Sequence, residues 1–225
     1  MTGPGGLDAQ PALTKSSDGP ISLLINRPIS ALFSGPMANA GFSPNSATFI
    51  ALLIGLAGCA AYAGQVWWVG GLLMQFSSVF SGVDGEIARR TGTGSKFGDF
   101  FDTVVDRFVE YAGFLAIAYG LAQTDRWEDW AWPVGLLALG ATFMLASESE
   151  KYRSVMHENY PKRQFEPLFA YLVGGRDVRV FYLAVGSVIA TWNVDVLFWT
   201  VVATMVLVHV NAIYRVLILR NKMRE

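Results

Sequence analysis

Three aspartates, Asp84, Asp102 and Asp106, lie within stretches that are otherwise apolar enough to read as membrane-spanning. An ionisable side chain inside a bilayer costs at least a few kcal/mol unless it is paired, hydrated or bound to a metal, so a cluster of them marks function by default. At 100° per residue, Asp102 and Asp106 fall about 40° apart on one helix face, and Asp99 falls about 60° from Asp102 on the same side. Asp84 belongs to the preceding apolar run, and the link Thr91-Gly92-Thr93-Gly94 lets the chain double back and bring the two faces together. Unpaired anions there would repel one another. Divalent cations with oxygen ligands neutralise them, and two ions bridged by shared carboxylates can clamp a phosphoryl group from both sides. The competing reading is ion pairing of these aspartates with Arg89, Lys96 or Arg107, which explains neither the clustering nor Gly85 and Gly98.

The same stretch carries a spaced pattern, Asp84-Gly85-x2-Ala88-Arg89-x8-Gly98-x3-Asp102-x3-Asp106. It resembles the signature of the CDP-alcohol phosphotransferase family, D-x2-D-G-x2-A-R-x8-G-x3-D-x3-D, with seven of eight positions present and Ser81 in place of the first aspartate. The resemblance implies transfer of a phosphoalcohol group, phosphatidyl or similar, from a CDP-alcohol donor to an acceptor alcohol with release of CMP, in phospholipid or inositol-phosphodiester synthesis. It implies two Mg2+ or Mn2+ ions held by Asp84, Asp102 and Asp106, with Asp106 also the general base for the incoming hydroxyl. Gly85, Ala88, Arg89 and Gly98 would face the nucleotide, with Arg89 on the diphosphate, and a homodimer is expected on the same ground. Asn45, in Ser43-Pro44-Asn45, resembles a family position near the nucleotide diphosphate. Ser81 offers a neutral oxygen where the family has a carboxylate, and Asp99 is the nearest substitute ligand, so both join the candidate metal set. A chain impaired by Ser81 would instead act as a membrane binding or assembly subunit.

The elements that must position these residues follow from composition and periodicity. In 225 residues, 52% hydrophobic and 16% charged, the chain reads as a polytopic, all-α integral membrane protein. Its single cysteine, Cys59, excludes an intrachain disulfide. Residues 1–19 read as a disordered tail without a cleaved signal peptide, and 20–225 as one membrane domain. From Pro20 to about Phe33, apolar residues at helical spacing predict an interfacial amphipathic helix, bent or broken at Pro28. Ser43 and Pro44 are an N-cap and a first helical residue, opening a first span to Ala63. Five further spans are expected: 66–90, 96–122, 130–155, 177–191 and 195–219. Gly85 and Ala88 make a smooth helix face, which suits either nucleotide approach or close helix packing.

On this six-helix reading the links near 64–67, 123–129 and 192–194 hold only Arg126 of the 17 Lys and Arg. The positive-inside rule then puts both termini and the signature on the cytoplasmic side, in an inner membrane or its equivalent. All seven tryptophans gather toward the opposite side and read as an interfacial belt. Asp84 lies about 7.5 Å deeper than Arg89 at helical rise. That shallow placement suits an enzyme at the membrane surface better than a transporter. A second basic group, including Lys151, Arg153, Lys162, Arg163, Arg176 and Arg179, suits a phosphorylated alcohol acceptor; of these Lys151, Arg153, Arg176 and Arg179 are the candidate ligands. Attraction to anionic membrane lipids explains the same residues equally well. Glu110, one turn beyond Asp106, is a lesser candidate for the polar cavity, and no nucleic-acid partner is expected. Asp18-Gly19-Pro20-Ile21-Ser22 and Asn26-Arg27-Pro28-Ile29-Ser30 look like family members fused to a soluble cytidylyltransferase domain. No such domain is in this sequence, so a separate enzyme is expected to supply the CDP-alcohol.

Overall fold

The computed structural model describes residues 19–222, which are helical throughout and contain no strand. The stretch read as a disordered tail lies outside them but for Gly19. A π-helical turn at Ser22–Asn26 leads into α1 (Arg27–Asn39), followed by α2 (Pro44–Ala63), α3 (Trp67–Phe80), α4 (Val83–Thr91) and α5 (Lys96–Ala122). Then come α6 (Glu128–Met156), the short α7 (Lys162–Phe165) and α8 (Pro167–Leu172), α9 (Arg176–Ile189) and α10 (Asp195–Lys222).

Six helices close into a ring in which each packs on two others, in the order α2, α3, α9, α10, α6, α5 and back to α2. Its interior is filled by Tyr62, Met74, Val109, Phe114, Ile117, Leu121 and Phe198, among others. Small residues let backbones approach at the crossings. A Cβ at Gly135 would lie 2.6 Å from the Ala118 methyl, and one at Gly55 would lie 2.6 Å from Val109, so α5 can hold close to both α6 and α2. Outward faces carry Phe49, Leu53, Phe108, Leu136, Leu137, Ile213 and Leu217, all exposed. Apolar surface this extensive is at home in lipid. Three helices, α2, α6 and α10, are long and apolar enough to cross a membrane by length and composition.

Helix positions follow the periodicity closely, because caps and apolar runs are local. Ser43 accepts from the Ser46 amide at 3.1 Å and Ser95 from the Gly98 amide at 3.0 Å, fixing the starts of α2 and α5. The expected span 66–90 is instead two helices, α3 and α4, interrupted at Ser81–Gly82. There the bonding tightens, with the Gly82 amide on the Val79 carbonyl at 3.0 Å, a three-residue turn at a residue of low helix propensity. α7 and α8, between the fourth and fifth expected spans, have no counterpart in the sequence reading.

Two further differences have physical causes. Pro28 does not break its helix; it sits in the first turn of α1, and the wider turn before it absorbs the missing amide. The polar face of this segment, with Asn26, Ser30 and Ser34 buried, turns inward onto the bundle while Leu24 and Leu32 face out. Of the seven tryptophans, Trp67 is only 8% exposed within the core. Trp127 stacks on Phe198 and donates its indole N–H to Asp195 at 2.9 Å. Both are held by packing within the bundle.

Candidate active site

A cavity of about 540 Å³ opens between the start of α2, α4, the 92–95 link and the start of α5. Gly92 takes φ +68° immediately after α4, a left-handed position that turns the chain toward α5. Gly98 brings α5 against α2: an added Cβ would stand 3.3 Å from Asn45 Oδ1. Asn45, Asp84, Gly85, Ala88, Arg89, Gly98, Asp99 and Asp102 all line this one cavity. Asp84 is buried in the first turn of α4, where the helix N-terminus favours a carboxylate. Its Oδ2 accepts from Thr48 Oγ1 at 2.6 Å, and its Oδ1 accepts from the Gly85 amide. Asn45 and Asp99 are exposed at the rim. Thr48 was not singled out by sequence, although it shares the Asn45 face of α2.

Asp102 also lines a second cavity, of about 210 Å³, with Ser81, Asp106, Lys162 and Arg176. The interruption at Ser81–Gly82 therefore divides residues that an unbroken helix would align: Asp84 faces the first cavity and Ser81 the second. Asp106 Oδ1 is held by Arg176 Nη1 at 2.5 Å. So the aspartate expected as base pairs with a basic residue expected on the acceptor, and not with Arg89, Lys96 or Arg107.

Arg176 and Lys162 continue into a third cavity of about 250 Å³, lined also by Arg107, Arg153 and Arg179. Lys151 is exposed and is not among its lining residues. Arg179 is 4% exposed; its guanidinium donates to Glu110 Oε1 at 2.7 and 3.2 Å and to the Val173 carbonyl at 3.0 Å. Arg107 adds a bond to Glu110 Oε2 at 3.1 Å. Glu110 is thus the buried counter-ion of this basic wall. Lys162 donates to the Gly174 carbonyl at 3.0 Å; its burial, with the cations Arg179 and Arg215 nearby, lowers its pKa to about 8.

Arg215 escaped the sequence reading. It is fully buried, bonded to Glu166 Oε1 at 2.5 Å, Ser149 Oγ at 2.8 Å and the Leu145 carbonyl at 2.9 Å, and lies over the Tyr160 ring at 4.2 Å. This knot fastens α10 to the end of α6 and to the 160–166 segment that carries Lys162. An arginine inside the apolar run of a 28-residue helix, a turn and more before the basic residues at its end, was the available signal.

Carboxylates with a hydroxyl suit a hard divalent cation. Asp84, Asp99 and Asp102 on one cavity and Ser81, Asp102 and Asp106 on the next supply that chemistry. Among the described residues, no three His, Cys, Asp or Glu side chains are gathered closely enough to hold an ion as they stand.

Residues 42–207 match the family model described as CDP-alcohol phosphatidyltransferase. The chain belongs to that family and is an integral membrane protein. It is 34% identical over 188 residues to a bifunctional IPC transferase and DIPP synthase of Archaeoglobus fulgidus, covering 84% of this chain and 36% of that one. A protein of the same name from Aquifex aeolicus is 32% identical over 179 residues, covering 79% and 40%. The chain thus spans well under half the length of these relatives. In fold it is similar to Mycobacterium tuberculosis phosphatidylinositol phosphate synthase, solved with CDP-DAG bound, with TM-score 0.68, 16% identity, and 84% and 92% of the two chains covered. The same protein in complex with manganese and citrate also gives TM-score 0.68, at 16% identity over 84% of this chain and 88% of that one.

Proposed function

We propose that the chain is a metal-dependent CDP-alcohol phosphotransferase that passes a phosphoalcohol group to the hydroxyl of a phosphorylated alcohol and releases CMP. The observation that carries this reading is the one cavity lined by Asn45, Asp84, Gly85, Ala88, Arg89, Gly98 and Asp102, drawn together from α2, α4 and α5. Family membership and the relatives' names support it, and those names favour an inositol phosphate as acceptor.

In this mechanism Gly85 and Ala88 leave room for the cytosine nucleotide and Arg89 meets its diphosphate. Asp84 and Asp102, with Ser81 and Asp99 as outer members, would hold the divalent ions, two in number, Mg2+ or Mn2+. When bound these supply positive charge to the diphosphate oxygens. The acceptor oxygen attacks the phosphorus bearing the donor alcohol, the bond to CMP breaks, and the hydroxyl proton passes to Asp106. Asp106 must first leave Arg176. An arriving acceptor phosphate draws Arg176 toward the third cavity and so frees the base when it is needed. Arg153, Lys162 and Arg179 complete the basic wall for that phosphate. The six ring helices are read as spans, with both termini and the site cytoplasmic by the positive-inside rule, and with two copies forming a homodimer.

A second reading is favoured by Ser81 alone: a homologue of weakened metal affinity that binds nucleotide or assembles with other membrane proteins. The separating experiment is CMP release by the purified chain in detergent with Mg2+ or Mn2+, CDP-diacylglycerol or a CDP-polyol as donor, and inositol phosphate or glycerol phosphate as acceptor. Metal-dependent CMP release that needs both substrates supports the transferase. Its absence over the whole panel, with CDP binding retained, supports the second reading.

A further inference from the structure

Outside the signature residues, a buried ionic cluster joins α1 to α4. Arg27 is 11% exposed and Glu86 fully buried. Arg27 Nη1 donates to the Gly82 carbonyl at 3.2 Å and to Glu86 Oε1 at 3.2 Å, and Ser30 Oγ donates to the same Oε1 at 2.5 Å. The Gly82 carbonyl also accepts the Glu86 amide at 3.2 Å, which closes the first turn of α4. One guanidinium therefore grips that turn twice, at the carbonyl that begins it and at the side chain that ends it. Asp84 lies between the two grips. Gly82 leaves space for the contact, since an added Cβ would stand 2.9 Å from Arg27 Nη1.

We propose that Arg27 is a positioning residue of the catalytic centre, holding the first turn of α4 so that Asp84 points into the donor cavity; this rests on the function proposed for that cavity. The interruption at Ser81–Gly82 makes such a hold necessary, because an unbroken helix would fix Asp84 by its own ladder. The segment bearing Arg27 is itself anchored on both sides. Asn26 bonds Ser78 at 3.3 Å and Gln75 at 2.8 Å on α3, and the Ser22 amide donates to Asp177 Oδ2 at 2.8 Å at the start of α9. Glu86 Oε2 is buried with no hydrogen-bond partner among the described residues, so the carboxylate leans on Arg27 and Ser30. Removing the guanidinium leaves a buried charge that must relax, and the backbone free to move with it is the turn carrying Asp84.

The test uses the full chain in detergent and three substitutions: Arg27→Gln, Arg27→Lys and Glu86→Gln. Arg27→Gln is expected to speed amide exchange over residues 82–87 about tenfold, with α2 and α5 unchanged. It should also weaken Mn2+ binding, followed by electron paramagnetic resonance with the metal alone, about 10–100-fold, the range found when residues supporting a metal ligand are lost. The turnover number for CMP release should fall on the same scale while the acceptor KM stays within twofold. Arg27→Lys, which keeps the charge on a shorter side chain, should recover part of each loss. A folded Arg27→Gln protein with wild-type exchange over 82–87 and Mn2+ affinity within twofold overturns the proposal. Should Arg27→Gln not fold, Glu86→Gln, which keeps the side-chain shape, must speed the same exchange, and unchanged exchange there overturns it equally. A wild-type chain that releases no CMP would defeat the transferase reading, while the exchange and Mn2+ comparisons would still decide the role of Arg27.

Discussion

Lys162 gives the third cavity a pH dependence that its arginines cannot have. Burial, with Arg179 and Arg215 beside it, brings its pKa down to about 8 from the ordinary lysine value near 10.5. If only the ammonium form holds the acceptor phosphate, the competent fraction is about 0.76 at pH 7.5 and about 0.09 at pH 9. The acceptor KM should therefore rise about eightfold across that window. A phosphomonoester has its second pKa near 6, so the acceptor itself does not change charge there. The sign is fixed by the depressed value: charge, and with it binding, is present below about pH 8 and lost above it, more than two units earlier than at an exposed lysine. The assay is CMP release against acceptor concentration at four pH values from 7.5 to 9, at saturating donor and metal. Lys162→Arg keeps its charge and should flatten the profile to within twofold. A flat wild-type profile, or an equal rise in Lys162→Arg, would refute the placement of Lys162 against the acceptor.

Three other outcomes are expected. Asp106→Asn should abolish turnover yet leave most of the metal-dependent CDP binding, whereas Asp84→Asn should weaken both by calorimetry and activity; equal loss of binding would remove the division of roles. Ser81→Asp adds a carboxylate to the cavity of Asp102 and Asp106 and should tighten Mn2+ binding. If Asp99 compensates for Ser81, the Asp99→Ala loss should shrink in that background, and additive effects would deny the coupling. Glu166→Gln strands the fully buried Arg215 and should cost about 3–5 kcal/mol of stability, read as a lower melting temperature in detergent; an unchanged midpoint would show that Glu148, 3.8 Å from the guanidinium, suffices.

By itself the sequence determined most of the helices and named residues that line the first cavity. Apolar periodicity, the Ser43-Pro44 start and the Gly-rich link are local signals, so α2, α5 and α10 begin at the residues expected, and α6 and α9 lie within two. The fixed spacing from Asp84 to Asp102 likewise named residues that line one cavity, because facing helix turns carry such spacing into space. Only tertiary structure decided the rest. At the Ser81–Gly82 interruption Ser81 and Asp84 line different cavities, although helical phase aligned them, and an arginine of another helix bonds the Gly82 carbonyl there. Asp106 met Arg176, Glu110 met Arg179 and Glu166 met Arg215 across 49 or more residues of chain. Sequence shows that buried charges need partners. Which partner each finds depends on how the ring closes, and that is set by the volumes at helix crossings such as Gly55 on Val109 and Gly135 on Ala118, to which hydrophobic periodicity is blind.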